Sequence, residues 1–182
     1  LAHRGVLFLD EMPEFSRRSL EILRQPLEDK VIRIARVYGT YEFPADFILC
    51  AAMNPCPCGH YPDMNRCRCT PAQVGQYLGK LSQPLLDRLD LCADVSPVDF
   101  DGMSNGKIGE NTKQVRMRVE AAQQIQRERF KDEKIQFNGE MSGKQVENFC
   151  HLDDSAGRLL KMAFQHMPFS ARAYHRILKV AR

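Results

Sequence analysis

The chain has 182 residues, with 43% hydrophobic, 27% charged and 8% aromatic side chains, a balance that suits a folded protein with a sizeable core and excludes a fibrous repeat, a disordered tail or a short peptide. No window approaches eighteen uninterrupted apolar residues, and Leu1 to Asp10 lacks the basic stretch, apolar run and cleavage site of a signal peptide, so a membrane helix is excluded and the chain reads as cytoplasmic. The net charge of +3 is too small to specify a polyanionic partner, although residues 113–182 carry 14 basic against 8 acidic side chains and the remainder 12 against 15.

Taken in chain order, Gly5-Val6-Leu7-Phe8-Leu9 is an apolar run suited to a buried parallel strand, and a helix is expected from Ser16 to Arg24. Val31 to Arg36 and Thr40 to Phe43, rich in β-branched and aromatic residues, flank Val37-Tyr38-Gly39 and predict a β-hairpin. Phe47 to Met53 predicts a second buried strand. Residues 1–97 thus read as an α/β region. Residues 98–111, with Gly102, Ser104, Asn105, Gly106 and Gly109, read as a linker, and residues 112–182 as helical. Thr112 is expected to cap a helix whose Val115, Val119, Ala122 and Ile125 form one buried face. Asp153 or Asp154 opens a further helix and Ser170 a last one. The abrupt start before a strand and the uncapped end at Arg182 lead us to expect a piece of a longer chain.

The first strand ends in Asp10-Glu11, at what would be the C-terminal edge of a parallel sheet, where ligands collect. In nucleotide hydrolysis one carboxylate there holds Mg²⁺ through water while a second polarises the attacking water, and these roles fall to Asp10 and Glu11. A solvated acidic turn is the alternative. Asn54 ends the second predicted strand, where its amide could orient water or a γ-phosphate, or simply shape the turn before Pro55. Arg88 either pairs with the flanking Asp87 and Asp90 on the surface or is supplied in trans to a neighbour's γ-phosphate.

Four of the seven cysteines, Cys56, Cys58, Cys67 and Cys69, lie within fourteen residues, beside His60. Four thiolates make a closed tetrahedral Zn²⁺ site, yet one residue between paired cysteines sends their side chains to opposite faces of an extended backbone. Zinc and a loop of reduced thiols both remain open on the sequence. An odd cysteine count argues against a secreted disulfide framework.

These segments, together with Leu23-Arg24-Gln25-Pro26-Leu27-Glu28, Asn54-Pro55-Cys56-Pro57-Cys58-Gly59, Pro84-Leu85-Leu86-Asp87-Arg88-Leu89-Asp90 and Ser170-Ala171-Arg172-Ala173-Tyr174-His175-Arg176, resemble the Mg-chelatase-like AAA+ ATPases of the bacterial ComM/YifB type. The resemblance implies an α/β fold: a partial AAA+ nucleotide-binding domain, with a parallel sheet lacking the P-loop strand, followed by a small all-α lid. It implies that Asp10 and Glu11 are the Walker B pair, Asn54 the sensor-1 residue, Arg88 the arginine finger and Arg172 the sensor-2 arginine. ATP and Mg²⁺ are the implied ligands.

The resemblance also implies a homo-oligomeric ring, a hexamer, with the hairpin directed into its pore and Arg33 and Arg36 as DNA contacts. A plain sheet extension with solvated arginines is the alternative for the hairpin. No Gly-Lys-Ser/Thr phosphate-binding loop occurs in these residues, so the resemblance points to a family segment that lacks the main nucleotide grip and is itself inactive. It implies DNA remodelling of the branch-migration type for the parent. Magnesium insertion into a porphyrin is the alternative, and a non-catalytic, metal-stabilised assembly module is a third reading.

Overall fold

The computed structural model describes residues 1–95, 109–167 and 169–182, in a first unit, Leu1–Leu89, and a second, Asp90–Arg182. All of the expected linker except residues 109–111 lies outside the described residues.

The two apolar runs form β1 (Val6–Leu9) and β4 (Ile48–Ala51), paired in parallel with Val6 opposite Ile48 and Leu9 opposite Ala51. Between them run α1 (Arg17–Ile22), α2 (Arg24–Asp29) and the hairpin of β2 (Val31–Arg36) and β3 (Gly39–Pro44). The helix expected over 16–24 is α1, and a second short helix, α2, follows it. Ser16 caps α1 by accepting from the Ser19 N–H, and the chain restarts at Leu23 because Pro26, with no N–H, cannot continue the ladder of α1. After β4 come α3 (Pro71–Leu78), opened by a Thr70–Gln73 capping box, and α4 (Gln83–Leu86).

The sequence predicts buried strands, whereas Val6, Phe8 and Ile48 are more than half exposed. Alternate residues of β1 point to opposite faces, and among the described residues only one face is covered. On that side Leu9 joins Leu23, Leu27 and Leu86 around a core of Met12, Leu20, Leu81 and Leu85. Leu85 has no exposed surface, so truncating it to alanine leaves a cavity. We expect Leu85→Ala to cost about 2–5 kcal/mol, read as a lowered urea midpoint for unfolding of this unit. A polar tie reinforces the same packing: Ser82 Oγ donates to the Glu21 carboxylate, which Arg24 also contacts at 2.7 Å. The Ser82 hydrogen bond first, and Arg24 second, hold Glu21 below the ordinary carboxylate range.

The second unit is helical: α5 (Thr112–Arg129), α6 (Gly143–Phe149), α7 (Asp154–His166) and α8 (Ala171–Ala181). Its core is Phe130, Met141, Val146, Cys150 and Leu178, with Phe130 edge-on to Phe149 at 5.3 Å. Asp153 and Ser170 cap α7 and α8 as expected. Two expectations fail for α5. Asn111 rather than Thr112 is its cap, because Asn111 and Gln114 form a reciprocal capping box that places Thr112 inside the helix. Its apolar stripe is also exposed, Val119 to 49% and Ile125 to 60%, since the core of the unit forms beyond the end of α5 and no described residue buries that face. No helix among the described residues is long and apolar enough to cross a membrane.

Candidate functional site

The parallel pairing brings the acidic pair and Asn54 to one edge. Beyond the strands, the Ala52 N–H donates to Leu9 C=O at 2.9 Å and the Met12 N–H to Ala52 C=O at 3.0 Å, so Asp10 and Glu11 loop out opposite Ala52, two residues before Asn54. Buried Met12 and Pro13 anchor the chain immediately afterwards in a short 3₁₀ turn, Met12–Glu14. Glu11 stands in the left-handed region at φ 48°, ψ 49°, and its N–H donates to Asp10 Oδ1 at 3.0 Å. That conformation costs a non-glycine residue on the order of 1 kcal/mol, and it turns the chain so that two adjacent carboxylates, both exposed, stand at the strand end. Their oxygens suit a hard cation such as Mg²⁺.

Two groups that the sequence does not single out lie near Asn54. A Cβ on Gly59 would sit 4.0 Å from both Asn54 Cγ and Oδ1. Tyr77, buried on α3, lies near the Asn54 backbone. Burial pushes the Tyr77 phenol up, the neighbouring Glu14 and Glu11 carboxylates add to this, and the Asn54 N–H opposes it. Lys80 lies over the Tyr77 ring at 5.7 Å and reaches Glu14 at 3.6 Å, tying α3 to the turn after the acidic pair. The signal available in the sequence is the Thr70–Gln73 box, which starts α3 and puts Val74 and Tyr77 on one face.

The four thiols of Cys56, Cys58, Cys67 and Cys69 converge, with all sulfurs within 4.8 Å of one another. Sequence spacing argues against this only for an extended backbone. Here Cys56 to Gly59 is a turn, closed by the Gly59 N–H donating to Cys56 C=O at 3.0 Å and by Gly59 at φ 79°, a conformation that favours glycine. A second turn, with the Cys67 N–H donating to Asp63 C=O at 2.7 Å, delivers the other pair. Sulfur separations of 3.4 Å (Cys56–Cys58), 3.6 Å (Cys58–Cys67) and 3.8 Å (Cys56–Cys67) match the edge of a zinc tetrathiolate, about 3.8 Å for bonds of about 2.3 Å. The backbone N–H of His60, then that of Arg68, holds the Cys58 thiol down to about 6. Cys69 accepts from the Cys58 N–H, which lowers it, yet the Cys58 side chain, burial and Cys56 together push it up to about 12. The donor set fits a thiophilic divalent ion.

The arginines divide. The Arg88 side chain is only 9% exposed and reaches Glu28, sixty residues away, and Pro84 C=O. Asp87 accepts from Gln83, and Asp90 from Arg176 at 2.7 Å. In the hairpin, Arg33 faces its cross-strand partner Glu42 at 2.7 Å and also meets Asp29 at 2.8 Å, so its charge is matched locally. Arg36 is exposed beside a tip where Val37 and Tyr38 are 95% and 96% exposed. Arg172 is exposed in the first turn of α8, in the second unit.

A parallel pair ending in an acidic edge, with an inserted hairpin and a helical C-terminal part, defines a partial AAA+ domain and its helical companion. The comparisons agree. Residues 1–103 match the family model "Magnesium chelatase, subunit ChlI", and residues 109–182 match "Magnesium chelatase, subunit ChlI C-terminal". The chain belongs to this family. It is 45% identical over 183 residues to the competence protein ComM of Haemophilus influenzae, and 42% identical over 184 residues to YifB of Escherichia coli K12. It is also 42% identical over 180 residues to Mb2921c of Mycobacterium bovis. These alignments cover 99–100% of this chain and 35% of each relative.

Proposed function

We propose that this chain is the segment, from Walker B through the lid, of an AAA+ ATPase that remodels DNA, with residues 1–97 as part of the nucleotide-binding domain and 112–182 as the lid. The observation that supports the reading is a parallel strand pair whose first strand runs directly into Asp10 and Glu11, with Glu11 in a left-handed turn, and whose second strand ends three residues before Asn54. In the longer protein Asp10 holds Mg²⁺ through its water shell. When bound there, the ion would supply positive charge to the phosphates of the nucleotide. Glu11 accepts the proton of the attacking water, and the Asn54 amide orients that water or the γ-phosphate. Arg88 leaves Glu28 to meet the nucleotide of a neighbouring copy in a homo-oligomeric ring, a hexamer, and Arg172 reaches the nucleotide from the lid. The ring acts in the cytoplasm. Without a Gly-Lys-Ser/Thr loop, the 182 residues alone do not turn over ATP.

The cysteine cluster holds one Zn²⁺ in this reading, stabilising a loop that has few apolar side chains of its own. DNA meets the hairpin. Arg33 braces the two strands through Glu42 and Asp29, and Arg36 beside the exposed tip makes the contact. The name of the relative ComM, a competence protein, favours DNA as the substrate. Magnesium insertion into a porphyrin is the second reading, favoured by the family description.

Branched DNA tests the choice. The full-length protein is expected to migrate a branched junction with ATP and not without it, and Arg36→Ala is expected to weaken DNA binding across sequences and lower the salt slope by about 1. ATP turnover indifferent to DNA and raised by a porphyrin would point to magnesium insertion instead.

A further inference from the structure

The cysteine loop is attached to the acidic edge at both ends. Its first ligand, Cys56, is fully buried and follows Asn54 by two residues, and its sulfur accepts from the Tyr61 N–H at 3.4 Å. Gly59, in the same turn, is close enough to the Asn54 side chain that a Cβ there would sit 4.0 Å from it. At the other end, Cys69 precedes Thr70, the cap of α3, and that helix carries Tyr77 back to the Asn54 backbone. Asn54 is exposed and lies beyond the last paired residue of β4, so the strand ladder does not fix it. Near it are the Cys56–Gly59 turn and the buried Tyr77. Lys80 and Glu14 then connect Tyr77 to the turn that follows Glu11.

We propose that the four-cysteine loop is a positioning device for Asn54: closing Cys56, Cys58, Cys67 and Cys69 on a metal fixes the Cys56–Gly59 turn and α3 together, and Tyr77 is the positioning residue that passes this order to Asn54 and Glu11. The catalytic consequence rests on the ATPase reading above, whereas the structural coupling stands apart from it. A loop closed by metal sets the location of Gly59 and the start of α3 simultaneously. An open loop leaves each free, and Asn54 then has only one residue of polypeptide between it and a mobile turn.

The test uses the full-length protein, loaded with Zn²⁺ or stripped by a chelator, beside a Tyr77→Phe variant that keeps the ring and loses the hydroxyl. Amide hydrogen exchange in the peptide spanning residues 50–56 is expected to quicken on the order of tenfold on stripping, with the hairpin at 31–44 unchanged. Tyr77→Phe is expected to keep its zinc, quicken exchange in the same peptide, and lower kcat for ATP by about two- to tenfold at unchanged KM. Unchanged exchange in residues 50–56 on stripping and in Tyr77→Phe would overturn the proposal. Faster exchange in a protein that hydrolyses no ATP would uphold the coupling and remove the ATPase reading, so the two fail separately.

Discussion

Glu11→Gln in the full-length protein is expected to slow phosphate release from ATP by about 10²–10⁴-fold while nucleotide binding persists. The amide keeps the size of the carboxylate and its place in the left-handed turn, so the change removes only the proton acceptor. Asp10 is left intact to hold the cation, which is why binding survives. Parallel measurement of steady-state turnover and of labelled-nucleotide affinity separates the two effects. Turnover equal to that of the parent would show that Glu11 is not the base. Mixing these subunits with Arg88→Ala subunits extends the test, because a complete site forms where an intact Glu11 meets an intact Arg88 from the neighbour. Partial recovery of turnover is expected, and its absence would count against a role for Arg88 in trans.

The second large effect concerns the metal. Elemental analysis of the purified protein is expected to find about one zinc per chain, lost in a Cys56→Ser, Cys67→Ser double variant. Structural zinc sites of this kind contribute about 10–16 kcal/mol of apparent binding energy in small peptides, and removing two of four thiolates forfeits most of it. The loss falls on a segment with little else to hold it: from Pro55 to Thr70 only Cys56 is buried. We therefore expect proteolytic nicking between Pro55 and Thr70 in the double variant, with the Met12, Leu20, Leu81 and Leu85 core still folded. Folded protein without metal, resistant to protease in this loop, would contradict the assignment.

Much of this arrangement was legible from residue order because local chemistry governs it. The hairpin strands follow from β-branched and aromatic runs about Val37-Tyr38-Gly39, and Ser16, Asp153 and Ser170 announce helices whose first-turn N–H groups they accept. Asp10 and Asn54 come to the same sheet edge because two apolar runs pair in parallel and in register. What failed depended on the surroundings of an element. The stripe of Val115, Val119 and Ile125 has the period of a buried face, yet periodicity states what a helix can bury and not what lies against it. Asn111 and Thr112 are both good caps, and only the reciprocal bond with Gln114 decides between them.

The cysteine spacing is unfavourable only on an extended chain, and the turn at Gly59 removes that premise. Glu28 as the partner of Arg88, and Tyr77 as the neighbour of Asn54, are long-range contacts that no local pattern announces.

The most direct measurement is Mg²⁺-dependent phosphate release from ATP by the full-length protein, with and without branched DNA, beside these 182 residues alone. The account predicts hydrolysis by the full-length protein, increased by DNA, and none by the shorter chain. A folded, assembled full-length protein that releases no phosphate in any of these conditions would contradict it and leave the cysteine-stabilised fold as an assembly module.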